Sequence, residues 1–194
     1  MRPGIRAAGG KNRRVDPLLS FGFFPERRGK DHRLRLANFR QRQTVETGTD
    51  VMRIAVISDT HDLHPPSLPA RLKNAEEIWH LGDVCEPSTL KAFEELRVPL
   101  RVVRGNCDAH PWPIKLDVKR GGVRFFLTHI PPSRAPKGCV AVLHGHTHVP
   151  RDEMIGPVRW LNPGCITRPN RGAPASFAWL TVGTGSFNWE LELL

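Results

Sequence analysis

Cysteine is scarce in this sequence and never closely paired. The four, Cys85, Cys107, Cys139 and Cys165, form no Cys-x-x-Cys unit. That spacing excludes a zinc knuckle and gives no disulfide framework, so a reducing, cytoplasmic setting is the expectation. Long apolar runs are missing too. Nothing approaches the ~18–20 residues that cross a bilayer. The longest early candidate, residues 17–25, is short and interrupted by Ser20 and Gly22. No apolar stretch precedes a small-residue cleavage site, so neither a secretory signal nor a membrane partner is expected.

What is present fits one folded domain. The chain has 194 residues, 39% apolar and 25% charged, enough to bury a substantial core. Its formal charge of +10 is uneven. Residues 1–51 hold 12 of the 29 Lys and Arg but only 5 of the 19 Asp and Glu. They are rich in Arg and Gly and lack sustained periodicity. Two readings fit them: a basic disordered extension, or a stretch upstream of a true start at Met52. An organelle transit peptide fits poorly, given five acidic residues and few serines. Non-specific attraction to nucleic acid belongs to this segment rather than to the domain at 52–194.

From Met52 the pattern changes. Residues 54–57 form a continuous apolar run, as in a strand buried on both faces. A short helix is expected over 67–77 and a better one over 87–96, with Pro87 at its start and Leu90, Phe93 and Leu96 on one stripe. Further strands are expected at 78–81, 100–103, 140–143 and 158–161. Residues 115–119 and 123–128 flank Gly121-Gly122 and read as a hairpin; 177–182 and 187–193 flank residues 183–186 and read as another. Strand–helix alternation followed by hairpins predicts a mixed α/β architecture with two packed sheets.

The chemistry lies at strand ends. Asp59 and His61 follow the first strand, Asp83 the second and Asn106 the third. His129 follows the strand from Val123, and His146 and His148 follow the strand from Val140. In open α/β sheets, ligands gather at the carboxyl ends of strands. Imidazole and carboxylate donors without thiolate suit manganese, iron, zinc or cobalt better than magnesium or calcium. Two metals ~3.5–4 Å apart need a shared ligand, and Asp83 is suited to bridge them. Each piece alone is weak. Gly-His-x-His is stronger, because residues two apart in an extended segment project to one side.

These motifs resemble the calcineurin-like metallophosphoesterase superfamily. The matching stretches are Ser58-Asp59-Thr60-His61, Leu81-Gly82-Asp83, Arg104-Gly105-Asn106-Cys107-Asp108, Leu127-Thr128-His129, His144-Gly145-His146-Thr147-His148 and Asn162-Pro163-Gly164. They are closest to the small bacterial and archaeal phosphodiesterase branch. The resemblance implies a four-layer α/β/β/α sandwich, two mixed sheets flanked by helices. It implies one divalent ion held by Asp59, His61, Asp83 and His148, and a second held by Asp83, Asn106, His129 and His146. Manganese is favoured, with iron, zinc, cobalt or nickel as alternatives. The implied substrate is a small phosphodiester or nucleotide-like molecule, with no specific nucleic-acid site and with homo-oligomerisation left open.

Three departures stand out. Many relatives place a histidine acid directly after the metal-binding asparagine, where this chain has Cys107. His129 is followed by Ile130-Pro131-Pro132 rather than glycine. Only 16 residues separate His129 from His146, and Pro131, Pro132, Pro136 and Gly138 disfavour a crossover helix there. The remaining histidines read otherwise. His64 and His110 are loop residues near the site, His80 is hydrogen-bonded core, and His144 supports its neighbours. Asp62 and Asp108 are placed to orient ligands, and Arg168 and Arg171 to meet a phosphate or solvent. The rival functions are a non-catalytic interaction scaffold on the same fold, a phosphomonoesterase, or a nucleic-acid-binding protein driven by the tail.

Overall fold

A computed structural model describes residues 51–194. The basic extension, apart from Val51, therefore lies outside the described residues. Among the described residues, ten strands build two five-stranded mixed sheets. The first has the order β10-β9-β1-β2-β3: β10 (Ser186–Leu193), β9 (Ser176–Gly183), β1 (Met52–Ile57), β2 (Glu77–His80) and β3 (Leu100–Val102). The second has the order β4-β5-β6-β8-β7: β4 (Lys115–Arg120), β5 (Val123–Thr128), β6 (Ala141–Leu143), β8 (Val158–Asn162) and β7 (Arg151–Ile155). Strands β1, β2 and β3 run parallel, as do β5, β6 and β8.

The apolar run after Met52 is buried on both faces, as its composition implies. Ile54 and Val56 pack between the sheets against Phe125, Leu127 and Leu143. Ala55 and Ile57 face the other way, under Leu68, Leu72, Leu90 and Phe93. Trp79 meets Phe125 edge to face at 5.5 Å, a geometry typically giving ~0.5–1.5 kcal/mol beyond area burial.

Helix is sparse. The 67–77 expectation contracts to α1 (Leu68–Arg71), a single turn closed where Leu72 N–H reaches both Leu68 and Pro69 carbonyls. The 87–96 segment opens as a 3-10 turn at Pro87–Leu90 and becomes α2 (Lys91–Glu94). Leu90 and Phe93 are buried as the stripe predicts. Both helices cover the first sheet. The outer face of the second is closed instead by Ala135 and Cys139, from the Pro-rich loop after β5, against Phe126, Val142 and Trp160.

The Gly121-Gly122 hairpin is a tight turn with φ of +52° and +82°, the combination that matches strand twist. Gly121 O accepts Gly185 N–H from the β9–β10 turn at 2.6 Å, which ties the two sheets together. Glu77 adds a second tie. Its buried carboxylate accepts Arg120 Nη2 at 2.6 Å and Nε at 2.8 Å from β4, Arg101 Nε at 3.2 Å and Trp79 Nε1 at 2.8 Å. Burial alone would raise its pKa, but these donors hold it below the ordinary value.

Candidate metal centre

The parallel strands of both sheets deliver their carboxyl ends to one rim. Asp59 N–H donates to Gly82 O, His61 N–H to Asp83 O and Asp62 N–H to Val84 O, each at 3.0 Å. The loop after β1 is thus zipped onto the loop after β2. From the other sheet, His146 N–H donates to Asp59 Oδ2 at 3.2 Å, and Gly145 N–H to His129 O at 3.0 Å. All seven residues expected at strand ends meet here.

Five of the seven have left-handed backbone: Asp59 (φ 57°), His61 (44°), Asp83 (55°), His146 (69°) and His148 (57°). Side chains other than glycine seldom adopt this region, and residues held in it typically cost ~1–3 kcal/mol. Such strain persists only where the surroundings impose it, and it concentrates at functional sites. Two glycines are obligatory beside it. A Cβ on Gly105 would collide with the backbone and carboxylate of Asp83. One on Gly145 would collide with Ser58 Oγ and come within 2.8 Å of Asp59 Oδ2.

The donors form two groups. Asp59, His61, Asp83 and His148 place ligand atoms within 4.8 Å of one another. Here His148 Nε2 lies 3.2 Å from both Asp59 Oδ1 and His61 Nε2. In the second group, Asn106 Oδ1 lies 2.9 Å from His129 Nε2 and 2.9 Å from His146 Nδ1. Asp83 belongs to both, with Oδ1 at 3.4 Å from His129 Nε2 and Oδ2 at 3.9 Å from His61 Nε2. Burial alone would raise the Asp83 pKa. The neighbouring His129 ring and the hydrogen bond from the Cys107 N–H hold it far below the usual carboxylate range instead.

The outer ring nitrogens are pinned. His129 Nδ1 lies 2.8 Å from Leu81 O and His148 Nδ1 lies 2.6 Å from Arg168 O. Facing carbonyls, both must carry the proton, which leaves each Nε2 lone pair turned inward. His129 Nε2 then confronts Asn106 Oδ1 and Asp83 Oδ1, both acceptors. Acceptor against acceptor at such range requires a proton or a cation between them. The same demand shows electrostatically: burial pushes the His129 pKa down, but Asp83 outweighs it and the net shift is upward. The donor chemistry and its unsatisfied lone pairs therefore fit divalent ions.

The surrounding residues hold this geometry. Asp108 accepts Gly105 N–H at 2.6 Å, Asp83 N–H at 3.1 Å and Cys85 N–H at 2.7 Å, and Asp62 accepts Glu86 N–H at 2.7 Å. His80 lies wholly in the core. Its Nδ1 accepts Gly82 N–H at 3.2 Å and its Nε2 meets Thr60 Oγ1 at 3.1 Å. Burial drives its pKa down to about 4, so it stays neutral. His144 gives its Nδ1 proton to Gly145 O at 3.0 Å. Asn162 donates to Gly145 O and Thr147 Oγ1, both at 3.0 Å, and so fixes the Gly-His-x-His loop. His64 instead packs on Phe93 and His110 on Trp112. Arg168 contributes its carbonyl to His148, and Arg171 lines a groove beside His146. Cys85 carries no signal in the sequence. Its Sγ lies 3.7 Å from His61 Nδ1, where the other pinned histidines have a carbonyl oxygen.

Two mixed sheets meeting at a rim of His, Asp and Asn donors define a metallophosphoesterase scaffold. The chain belongs to the calcineurin-like phosphoesterase superfamily, whose domain model matches residues 52–185. It is 30% identical over 168 residues to phosphodiesterase YfcE of Escherichia coli strain K12, covering 67% of this chain and 88% of that protein. The solved E. coli YfcE structure aligns with a TM-score of 0.58 at 28% identity, over 66% of this chain and 88% of that one. The probable metallophosphoesterase YsnB of Bacillus subtilis strain 168 is 27% identical over 144 residues, covering 68% and 85%. The fold is also shared by Vps29 of Entamoeba histolytica, solved with zinc: TM-score 0.58, 21% identity, 73% and 99% covered. The protein is a metal-dependent phosphoesterase. Among the described residues no helix is long and apolar enough to cross a membrane.

Proposed function

We propose that the protein is a dinuclear phosphodiesterase acting on small diesters with good leaving groups. Asp59, His61, Asp83 and His148 would hold one divalent ion, and Asp83, Asn106, His129 and His146 the other, with manganese favoured. The observation that carries this reading is Asp83, whose two carboxylate oxygens face the two donor groups separately. When bound, such a pair supplies Lewis acidity to the phosphoryl group and a water acidic enough to attack near neutral pH.

The chain's own residues do the rest. Leu81 O and Arg168 O hold the His129 and His148 rings in one tautomer, so their Nε2 atoms are ready donors without reorganisation. Asp108 fixes the backbone of Asp83 and Gly105, and with it the spacing of the two groups. Cys107 stands exposed at the rim. Burial and Asp83 raise its pKa, so the thiol is a weak proton donor. A leaving group that needs no proton is then the better substrate.

Two grooves flank the second donor group. One, about 440 Å³, runs past His146, Pro131, Val149, Asn170 and Arg171. The other, about 270 Å³, runs past Asn106, His129, Arg104, Ile114 and Ile130. The short loop after His129 leaves both open, which supports a substrate with an ester group on each side. The test is hydrolysis of an aryl diester, a cyclic nucleotide and an alkyl monoester with manganese, zinc, cobalt and nickel. A preference for the monoester would favour phosphomonoesterase action. No turnover with any metal would favour a scaffold.

A further inference from the structure

We infer that Cys85, Cys107 and Nδ1 of His61 form a separate site for a thiophilic divalent cation, of the zinc or cadmium kind, beside the hydrolytic centre. One ligand atom from each of His61, Cys85 and Cys107 lies within 4.8 Å of the other two. His61 connects the two sites by presenting Nε2 to Asp83 and His148 and Nδ1 to Cys85 Sγ, 3.7 Å away. This link rests on the proposed role of His61 as a ligand.

The backbone of both thiols is fixed before any ion arrives. Cys85 N–H is held by Asp108 Oδ1 at 2.7 Å and Cys107 N–H by Asp83 Oδ1 at 2.9 Å. Asp108 also holds the N–H of Asp83, so the two cysteine loops share one anchor. Access is open, because Cys107 is exposed and Cys85 half-buried.

Donor type selects the ion. Two thiolate sulfurs are soft ligands and the imidazole suits zinc, so the set favours zinc or cadmium over manganese, whereas the adjoining carboxylate-containing cluster does not discriminate so strongly. Three protein ligands with one open position also match a common zinc arrangement. Two thiolates offset the dication, and because the Nδ1 proton of His61 leaves as well, the filled site is one charge more negative than the protonated one. Binding expels both thiol protons to solvent. It also takes the place of the proton that Nδ1 shares with Cys85 Sγ while Nε2 serves the hydrolytic centre. Thiophilic ions therefore inhibit the manganese enzyme through His61.

The remaining cysteines provide the control. Cys139 donates to Pro136 O at 3.1 Å in the outer cluster of the second sheet, and Cys165 donates to Asp59 O at 3.2 Å in the core. The experiment titrates cadmium into the manganese-loaded full chain under a phosphine reductant. Ultraviolet thiolate-to-cadmium absorption and diester hydrolysis are read together. Wild type and Cys139→Ser should saturate at one cadmium per chain with loss of hydrolysis. In Cys85→Ser the apparent Kd should rise by about 100-fold or more, above the range typical for losing an indirect partner, and the inhibition should go with it. Should Cys85→Ser fold poorly, Cys85→Ala and Cys107→Ser give the same absorption test. An unchanged band in the Cys85 variants overturns the site, as does cadmium inhibition equal to wild type. Absorption needs no turnover, so cadmium binding tests this site even in a protein without hydrolytic activity.

Discussion

Asp83 Oδ1 lies 3.4 Å from His129 Nε2, at the seam between the two sheets. Asp83→Asn removes a negative charge that would balance two dications and keeps the shape. Metal content should fall well below two per chain, measured by elemental analysis after gel filtration, and hydrolysis should collapse. Asp108→Ala is the informative contrast. It touches no proposed ligand side chain but frees the backbone of Asp83 and Gly105. Loss of an indirect partner typically costs ~10–100-fold in metal affinity. Activity should therefore return at high manganese in Asp108→Ala and stay absent in Asp83→Asn. Full metal occupancy in Asp83→Asn would show that the bridge is wrongly assigned.

Glu77 should make stability depend on acid. Its folded pKa is lowered by Trp79, Arg120 and Arg101 despite burial. A carboxylate with a depressed folded pKa contributes stability that is complete above its unfolded pKa, near ~4.3. That contribution is lost as pH falls through the folded value. Urea midpoints should thus fall more steeply below about pH 4.3 in wild type than in Glu77→Gln. At neutral pH the substitution should cost about 1.5–3 kcal/mol, the range for hydrogen bonds to a charged group. Parallel pH profiles for the two proteins would show that Glu77 does not govern the acid sensitivity.

A chain beginning at Met52 should fold and keep its hydrolytic rate. Met52 pairs directly with Val182, and the strand it opens lies at the centre of the first sheet. Deleting residues 1–51 should lower non-specific retention on polynucleotide, because the segment carries most of the net positive charge. Loss of solubility or rate in the shortened chain would assign the segment a working role.

The site is more legible in the sequence than parts of the scaffold. Strand ends are readable because apolar runs stop abruptly at Asp59, Asp83 and Asn106, and periodicity needs no tertiary information. Strand β7 is not. Its Arg151, Asp152 and Glu153 suit an exposed edge, and its pairing rests on β8, with Arg159 forking onto Asp152 at 2.7 Å. The helix expected over 67–77 is shorter in the fold because two buried leucines, Leu68 and Leu72, complete their burial within one turn. Trp79 apart, Glu77 and Cys85 act through partners distant in sequence, such as Arg120 for one and His61 for the other, and no local pattern announces such pairs.

Cys107 should set the substrate class. It occupies the place where the resemblance puts a histidine acid, and its thiol is a weaker donor still for having its pKa raised by burial and Asp83. General acid catalysis typically contributes ~10²–10⁴-fold, most where the leaving group is basic. Wild type should therefore hydrolyse an aryl diester better than an alkyl monoester. Cys107→His supplies an imidazole at the rim, next in sequence to Asn106, which lines one of the grooves. It should speed the alkyl monoester by about 10²-fold or more while changing the aryl diester little. The comparison is kcat/KM for both substrates, wild type against Cys107→His, at saturating manganese and across pH. A new limb near the histidine pKa should appear in the variant with the monoester alone, because only that reaction then needs the proton. If wild type already prefers the monoester, or the substitution leaves the ratio unmoved, the identity of residue 107 does not select the leaving group.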